Sequence, residues 1–517
     1  MAAVKGVSAA TALLMAFFLA SRSVGFVRQA VITALFGVGP EADAWFAAFR
    51  LPDTLFTLFA GGALVSAVIP VYTEIRARGD KDERNRFVSG LLNLAGLALI
   101  LGGGAGALLA RPLTDLLVPG FDEPTRALTA TATRWLMLSP LLLGLSAVAK
   151  GILQSERRFL LPALGPLLYG IGTILGGLLL AAKHGILGLV WGTVGGAFAQ
   201  LAVQAPGMAR EGVSYVFLSG FRHPGIRKVV TLMLPRLVGF AVIQVSFFFV
   251  NFLASYIGPA SVSALSNAWL LLLFPLGVIA IPFAEASLPA FSSLWVLGDR
   301  RALSEQCHWA LRRVLFLLVP ACVGLALLAG PLISVLFERR AFGAEATRLT
   351  SYALVFYAAG LVGHGAVEVL ARAFYSMHDT KTPVVIGACS LVLQMIASWA
   401  LSLVMGIGGL ALGVSLGALF EAAVLYAVLG RRLEIGAQAR RALRSLAGVL
   451  AGAGAMGAGL YALVRATWTE GGSTWSNAGL LAAYLAVGAA AFLLVAWIAR
   501  SEELAVSVAR VREKLSI

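Results

Sequence analysis

Charge is scarce in this sequence. Of its 517 residues, 13% are Asp, Glu, Lys or Arg, while 59% are hydrophobic. A soluble domain carries about 25% charged residues, because its surface must stay polar against water. The deficit excludes an ordinary soluble globular protein. Cysteine is scarce too. Cys307, Cys322 and Cys389 are the only three. No pair has metal-ligand spacing and no disulfide framework is suggested, so they read as small buried residues. The five histidines, His184, His223, His308, His364 and His378, are scattered. No loop is long enough for a catalytic domain, and no acidic or His cluster suits metal or acid–base work. No GxxxxGK[ST] sequence is present, so phosphate-loop chemistry is not expected. The chain therefore reads as neither an enzyme nor an NTPase, with no cofactor and no metal. Energy for any transport would come from an ion gradient, the membrane potential or substrate consumption.

What the sequence has is apolar runs, each near the ~20 residues that cross a bilayer as helix. They predict an all-α integral membrane protein of about fourteen spans, the first over 7–35 and the last over 477–499. The first run is too long for a signal-peptide core and contains Arg22 and Arg28, so it reads as a mature span. The 57 glycines suit close packing of membrane helices.

The net charge of +15 follows from topology. With the N-terminus in the cytoplasm, roughly 26 of the 40 Lys and Arg fall on the cytoplasmic side and about 7 opposite, as the positive-inside bias requires. Both termini are then cytoplasmic. The basic residues form no aromatic-interleaved stripe, which argues against a nucleic-acid partner. The last stretch, SEELAVSVARVREKL, reads as an amphipathic helix on the membrane surface or a solvated tail.

Segments about 220 residues apart look alike. PLTDLLVPGFDEPT from Pro112 resembles PLISVLFERRAFGAEAT from Pro331, and Ser155 precedes Pro162 as Ser376 precedes Pro383. The expected organisation is two six-helix lobes, 1–220 and 221–435, related by a pseudo-two-fold along the membrane normal, with two extra helices and a tail in 436–517. Such repeats are a transporter architecture.

Charges inside spans are costly and point to a cavity or a partner. Arg22 and Arg28 lie in the first span, Asp43, Arg50 and Asp53 in the second, and Arg134 and Lys150 in the fourth. Arg236, Glu285, Glu368 and Arg372 follow in the second half. Arg22 and Arg28 are six residues apart, about 120° on a regular helix; they share a target only if the helix bends, and Gly25 permits that. Arg50 and Asp53 can pair at i,i+3. Guanidinium is planar, always charged and suited to phosphate, so an arginine cavity predicts an anionic head group. Glu285 and Glu368 are candidate ion-coupling sites, for protons or a monovalent cation, or helix–helix hydrogen-bonding groups.

At these residues the chain resembles the MurJ (MviN) family of lipid II flippases, in the multidrug/oligosaccharidyl-lipid/polysaccharide exporter superfamily. The likeness rests on residues 21–72, GILQSERRFLLPALGP (151–166), SLPAFS (287–292) and ARAFYSMHDTKTPV (371–384), and extends more weakly over the whole chain. The resemblance implies a monomeric two-lobed bundle working by alternating access. It would bind the diphosphate head group of lipid II in a cationic cavity and the polyprenyl tail beside the last two helices. Arg22, Arg28 and Asp43 match family positions that matter, and Arg50 falls where a basic residue is frequent. The chain departs from the pattern at Phe56, at Gly61, and at Trp269, Leu270 and Leu271, where well-studied members carry arginine, glutamate and D-R-L. Arg236 is the expected substitute charge. The alternatives are export of another lipid-linked saccharide, or drug or cation antiport.

Overall fold

The computed structural model describes residues 2–59, 63–217, 219–433, 437–469 and 474–498. Side chains at 2–16, 18–19, 63, 235–236, 238–239 and 437–446 fall outside the description. Gly61 and the tail after 498 lie outside the described residues. Among the described residues the chain is helical, without strands, and thirteen helical segments are long and apolar enough to cross a membrane. The expected first span falls on a further long helix whose early side chains lie outside the description. Contacts divide the chain into two compact units, Met1–Ser263 with Arg339–Phe342, and Ala264–Glu338 with Gly343–Ile517.

The first unit opens with α1 (Ala2–Phe36), α2 (Pro40–Phe59) and α3 (Ala63–Ala77). Asp80 then caps α4 (Lys81–Leu108), accepting the N–H groups of Asp82 at 2.8 Å and Glu83 at 3.1 Å. Hydrogen bonds from the Glu83 and Asp82 amides hold the Asp80 carboxyl below its ordinary value. The short α5 (Ala110–Leu117) leads into α6 (Glu123–Leu136) and α7 (Leu138–Ser155), which together make one span. Next come α8 (Leu160–His184) and α9 (Ile186–Arg210), and α10 (Pro224–Ile257) follows a non-helical link. Gly172 and Gly176 face Gly192 and Gly196 so closely that a Cβ on any of them would strike backbone. Small residues thus let α8 and α9 touch along their length.

The core of this unit gathers Tyr72, Phe87, Val88, Ile152, Leu153, Ile226 and Val229. Phe56, one of the departures from the pattern the sequence resembles, packs against it by apolar contact. Ile226 and Val229 belong to α10. That membership explains why α10 groups with the first unit although it follows the sequence boundary at 220.

In the second unit, α11 (Ser261–Pro275) passes through a π-helical turn, Leu276–Ala280, into α12 (Ile281–Val296). Then follow α13 (Arg300–Leu327), α14 (Ala329–Phe337), α15 (Ala344–Ser376), α16 (Lys381–Met405) and α17 (Ile407–Arg432). The last pair, α18 (Ala437–Thr467) and α19 (Thr474–Ile498), shares a core with α13 built on Phe316, Met456, Leu460, Tyr484 and Phe492.

Each unit carries a clasp between a helix-connecting turn and a later helix end. In the first, Arg158 pairs with Glu211 at 2.7 Å. In the second, Asp379 pairs with Arg432 at 2.6 Å and also bonds the N–H and hydroxyl of Thr382. Burial pushes the Asp379 carboxyl up, but the Thr382 bonds and Arg432 outweigh it and bring it down to about 2. The residues before the two turns, Arg157 and His378, are both left-handed, at φ 58° and 60°. The three cysteines differ from expectation in one case: Cys307 is buried and Cys322 half-buried, but Cys389 of α16 is exposed.

Candidate functional site

The first unit brings several of the sequence-singled charges together. Arg28 is half-buried on α1, on the helix stretch that packs against α8 through Val24 and Gly170. Tyr169 of α8 lies within electrostatic range of both Arg28 and Asp53. On α2, Asp53 feels the charge of Arg50 and accepts a hydrogen bond from the Gln244 side chain. Gln244, on α10, also donates to the Thr54 hydroxyl at 2.7 Å, and Thr54 donates to the Arg50 carbonyl at 2.7 Å. The Arg50 guanidinium lies over the Phe247 ring, 4.5 Å from its centroid. Arg50, Asp53, Thr54, Gln244 and Phe247 thus form one polar cluster on α2 and α10, and Tyr169 of α8 stands in electrostatic range of its Asp53 and of Arg28 on α1. Pro52 lies within α2 beside the cluster, where a proline removes one backbone hydrogen bond and favours bending.

Arg22 is exposed on α1, and the helix continues through Gly25 without interruption. Lys150 is half-buried. Arg134 is exposed and donates to the Ala107 carbonyl at 3.3 Å, near the C-terminus of α4, where a cation suits the helix dipole. The side chain of Arg236 lies outside the described residues.

Asp43 is separate from the arginine cluster. It is 1% exposed, and its two oxygens accept the main-chain N–H groups of Ala260 and Ser263 at 2.7 Å each. Ala260 is left-handed, φ 71°, a conformation that costs an alanine roughly 1–2 kcal/mol. A buried carboxylate on its N–H offsets that strain. Two more long-range contacts belong to the same unit. The Ser255 hydroxyl accepts the Gly120 N–H at 3.0 Å, and the Ala34 carbonyl accepts the Ala341 N–H at 3.2 Å.

In the second unit Glu368 forms an ion pair with Arg372 one turn on, and Glu421 of α17 lies within electrostatic range of Glu368. Sequence reasoning missed Glu421; a lone acid in a long apolar run was the available signal. Glu285 is exposed on α12, with no ion pair among the described residues. Trp269 packs edge-on against Tyr357 and His364, at centroid distances of 5.4 and 5.5 Å. Among the described residues no group of His, Cys, Asp and Glu could hold a metal.

The sequence profile described as lipid II flippase MurJ matches residues 32–480. The chain belongs to the MurJ family. A probable lipid II flippase MurJ of Vibrio cholerae is 33% identical over 494 residues, covering 93% of this chain and 94% of that protein. The lipid II flippase MurJ of Burkholderia cenocepacia is 29% identical, covering 80% and 82%. Among solved structures, a lipid II flippase MurJ in an inward closed conformation superposes with a TM-score of 0.79 at 23% identity, covering 94% of this chain and 98% of the other. An inward-facing multidrug resistance MATE transporter of the MOP superfamily gives 0.68 at 16%, covering 81% and 96%. These two likenesses concern the fold. The MurJ assignment and the helical architecture agree with the sequence expectation.

Proposed function

We infer that this MurJ-family chain is a flippase that moves lipid II, the lipid-linked peptidoglycan precursor, from the inner to the outer leaflet of the bacterial cytoplasmic membrane for cell-wall synthesis. The observation that carries the reading is that, in the first unit of a MurJ-family chain, Arg28 and the Arg50–Asp53 group both come within electrostatic reach of neighbours they share, Tyr169 for Arg28 and Asp53, and Asp53 for Arg50. Two guanidiniums suit a diphosphate, which each can grip through paired N–H donors. Asp53 and Gln244 supply the counter-charge and hydrogen bonding that make the cluster tolerable in the membrane when no substrate is present. Arg22, exposed on the same helix, extends the cationic path, and Arg236 remains a candidate within it.

Asp43 acts as a gating latch in this reading. A carboxylate on the N–H groups of Ala260, just before α11, and Ser263, in its first turn, satisfies otherwise orphaned donors and favours the positive end of the helix dipole. Alternating access requires such a contact to break and re-form. The separation of Asp43 and Ser263 is the repeat offset itself. A shift of about 220 residues also carries Ala34 onto Ser255 and Gly120 onto Ala341, so the other two contacts exchange partners. This reciprocity supports an internal repeat at that offset.

Glu285 is a candidate coupling site for a monovalent cation; Glu368 serves first as the partner of Arg372. A membrane potential acting on cavity arginines supplies ~2.3 kcal/mol per charge per 100 mV. The chain works as a monomer without catalytic chemistry, with both termini on the cytoplasmic side where the basic loops gather. Reconstitution into vesicles with lipid II in one leaflet tests the reading. Lipid II should become accessible from the other side with the wild type and not with Arg28→Ala. Equal transport of an undecaprenyl-linked O-antigen precursor would widen the substrate class beyond lipid II.

A further inference from the structure

The link between α9 and α10 is not a free loop. It lies along α4, tied by a polar stripe at 85, 89 and 93, one face of the helix at i, i+4, i+8. The Asn85 amide donates to the Ser214 hydroxyl at 2.7 Å, and the Ser89 hydroxyl accepts the Val216 N–H at 3.0 Å. The Asn93 amide donates to the Ser219 carbonyl at 2.9 Å and the Val216 carbonyl at 3.4 Å, while its oxygen accepts the Tyr215 hydroxyl at 2.6 Å. Gly90 and Gly220 allow the two backbones to meet, and Gly220 is left-handed at φ 80°.

The depth of this contact decides its surroundings. Arg86 is the last charged residue of α4, and Phe87–Leu108 contains none. At 1.5 Å per residue that uncharged stretch is about 33 Å long, enough to cross the hydrocarbon core. Ser89 and Asn93 sit in its first two turns, so the strap lies at the boundary of head groups and acyl chains. Non-helical backbone survives at that depth only if its polar groups are satisfied within the protein, which is what Ser89 and Asn93 do. The outer side of the strap presents Tyr215, Val216 and Phe217, at 53%, 54% and 73% exposure.

Beside the strap is a cavity of about 670 Å³ lined by Asp80, Glu83, Arg86, Arg222 and His223, among others. Its acids are already engaged: Asp80 caps α4, and Glu83 pairs with Arg78 at 3.1 Å. Arg86 and Arg222 are exposed and make no hydrogen bond or close ion pair among the described residues. Counting Arg78 with its partner Glu83, three arginines face two carboxylates, a net charge of +1, with Arg86 in electrostatic range of Asp80. Arg222 is five residues from Phe217, at most about 18 Å of chain, within the span of one phospholipid from phosphate to upper acyl chain.

We propose that the α9–α10 strap and the adjoining cavity form a phospholipid site, with the phosphate of an anionic lipid between Arg86 and Arg222 and its acyl chains against Val216 and Phe217. The site shares no residue with the Arg50–Asp53 cluster or with Arg28 and does not depend on the transport reading. It would bind a resident lipid of the leaflet on the basic-loop side and hold the start of α10 to α4.

Two measurements test it on the full chain in phosphatidylethanolamine–phosphatidylglycerol vesicles. A spin label at Phe217→Cys, with the three native cysteines replaced, should collide with oxygen and be shielded from a water-soluble nickel complex. Nickel access would place the strap in water, leave its apolar face to a soluble partner, and overturn the proposal. Native mass spectrometry should show phosphatidylglycerol retained over phosphatidylcholine, with about tenfold weaker retention in the R86Q/R222Q double variant. Equal retention by the double variant, or complete displacement of the lipid by millimolar inorganic phosphate, would equally refute a lipid site. The label readout uses a chain with both arginines, so it decides even if the double variant inserts poorly.

Discussion

Asp43 and Ser263, 220 residues apart, are joined by a 2.7 Å hydrogen bond from the Ser263 amide to the Asp43 carboxylate, and the other carboxylate oxygen takes the Ala260 amide. One side chain thus closes the N-terminal turn of α11 against α2. Asp43→Asn keeps the shape but turns one acceptor into a donor. The expected loss is about 1–3 kcal/mol locally, the cost of a buried donor left unmatched. Amide exchange at Ala260 and Ser263 should speed up by one to two orders of magnitude. Unchanged exchange at both amides would remove the latch.

Asp379 gives the account a pH dependence. Its folded-state carboxyl lies at about 2 against an ordinary 3.8, so the clasp to Arg432 contributes stability at neutral pH. That contribution is fully present above about 4 and is lost as pH falls toward 2. Asp379→Asn should lower the melting temperature in detergent at pH 7, and the difference from wild type should shrink across that acid window. A difference independent of pH would mean that the lost Thr382 bonds, and not charge, account for it.

His378 is exposed and left-handed just past the end of α15, at the position where glycine ordinarily ends a helix. His378→Gly should raise stability by about 0.5–1 kcal/mol, the strain relieved less the extra freedom of the unfolded chain. Arg157→Gly, at the corresponding turn after α7, should behave alike. Thermal unfolding of the two variants tests both, and a fall in melting temperature would show that these side chains make contacts that outweigh the strain.

Trp269 lies on α11 with its ring edge-on to two residues of α15. Trp269→Ala removes edge-on contacts to Tyr357 and His364 and should cost about 2–3 kcal/mol, the worth of a large apolar side chain partly withdrawn from packing. The measurement is thermal unfolding at matched detergent. No change would mean that the cluster does not hold α11 to α15.

The sequence made the membrane class and the spans legible because an 18-residue apolar run has few other fates. It also showed segments about 220 residues apart that look alike. Arg157 and His378 share a backbone conformation, and the Arg158–Glu211 and Asp379–Arg432 clasps occupy matching turns with the signs exchanged. The candidate site was partly legible. Arg28 and Arg50 stood out as charges in apolar runs, but Gln244, in the Arg50–Asp53 cluster, and Tyr169, near Arg28 and Asp53, come from distant helices and carry no charge to draw notice. Asp43 was visible as a buried acid, though its partners are backbone amides that no side-chain pattern reveals. The Asn85, Ser89 and Asn93 stripe was readable in principle. It was passed over because uncharged polar residues in a membrane helix ordinarily bond within their own helix, and the partner strap lies more than a hundred residues on.

The central claim is that Arg28 works on a diphosphate-linked lipid in a MurJ-family flippase. The most direct measurement is rescue of a bacterium depleted of its own lipid II flippase, with wild type and Arg28→Ala expressed to equal levels. The account predicts growth and normal cell shape with the wild type and lysis with the variant. Failure of a well-inserted wild type, or full rescue by Arg28→Ala, would contradict it.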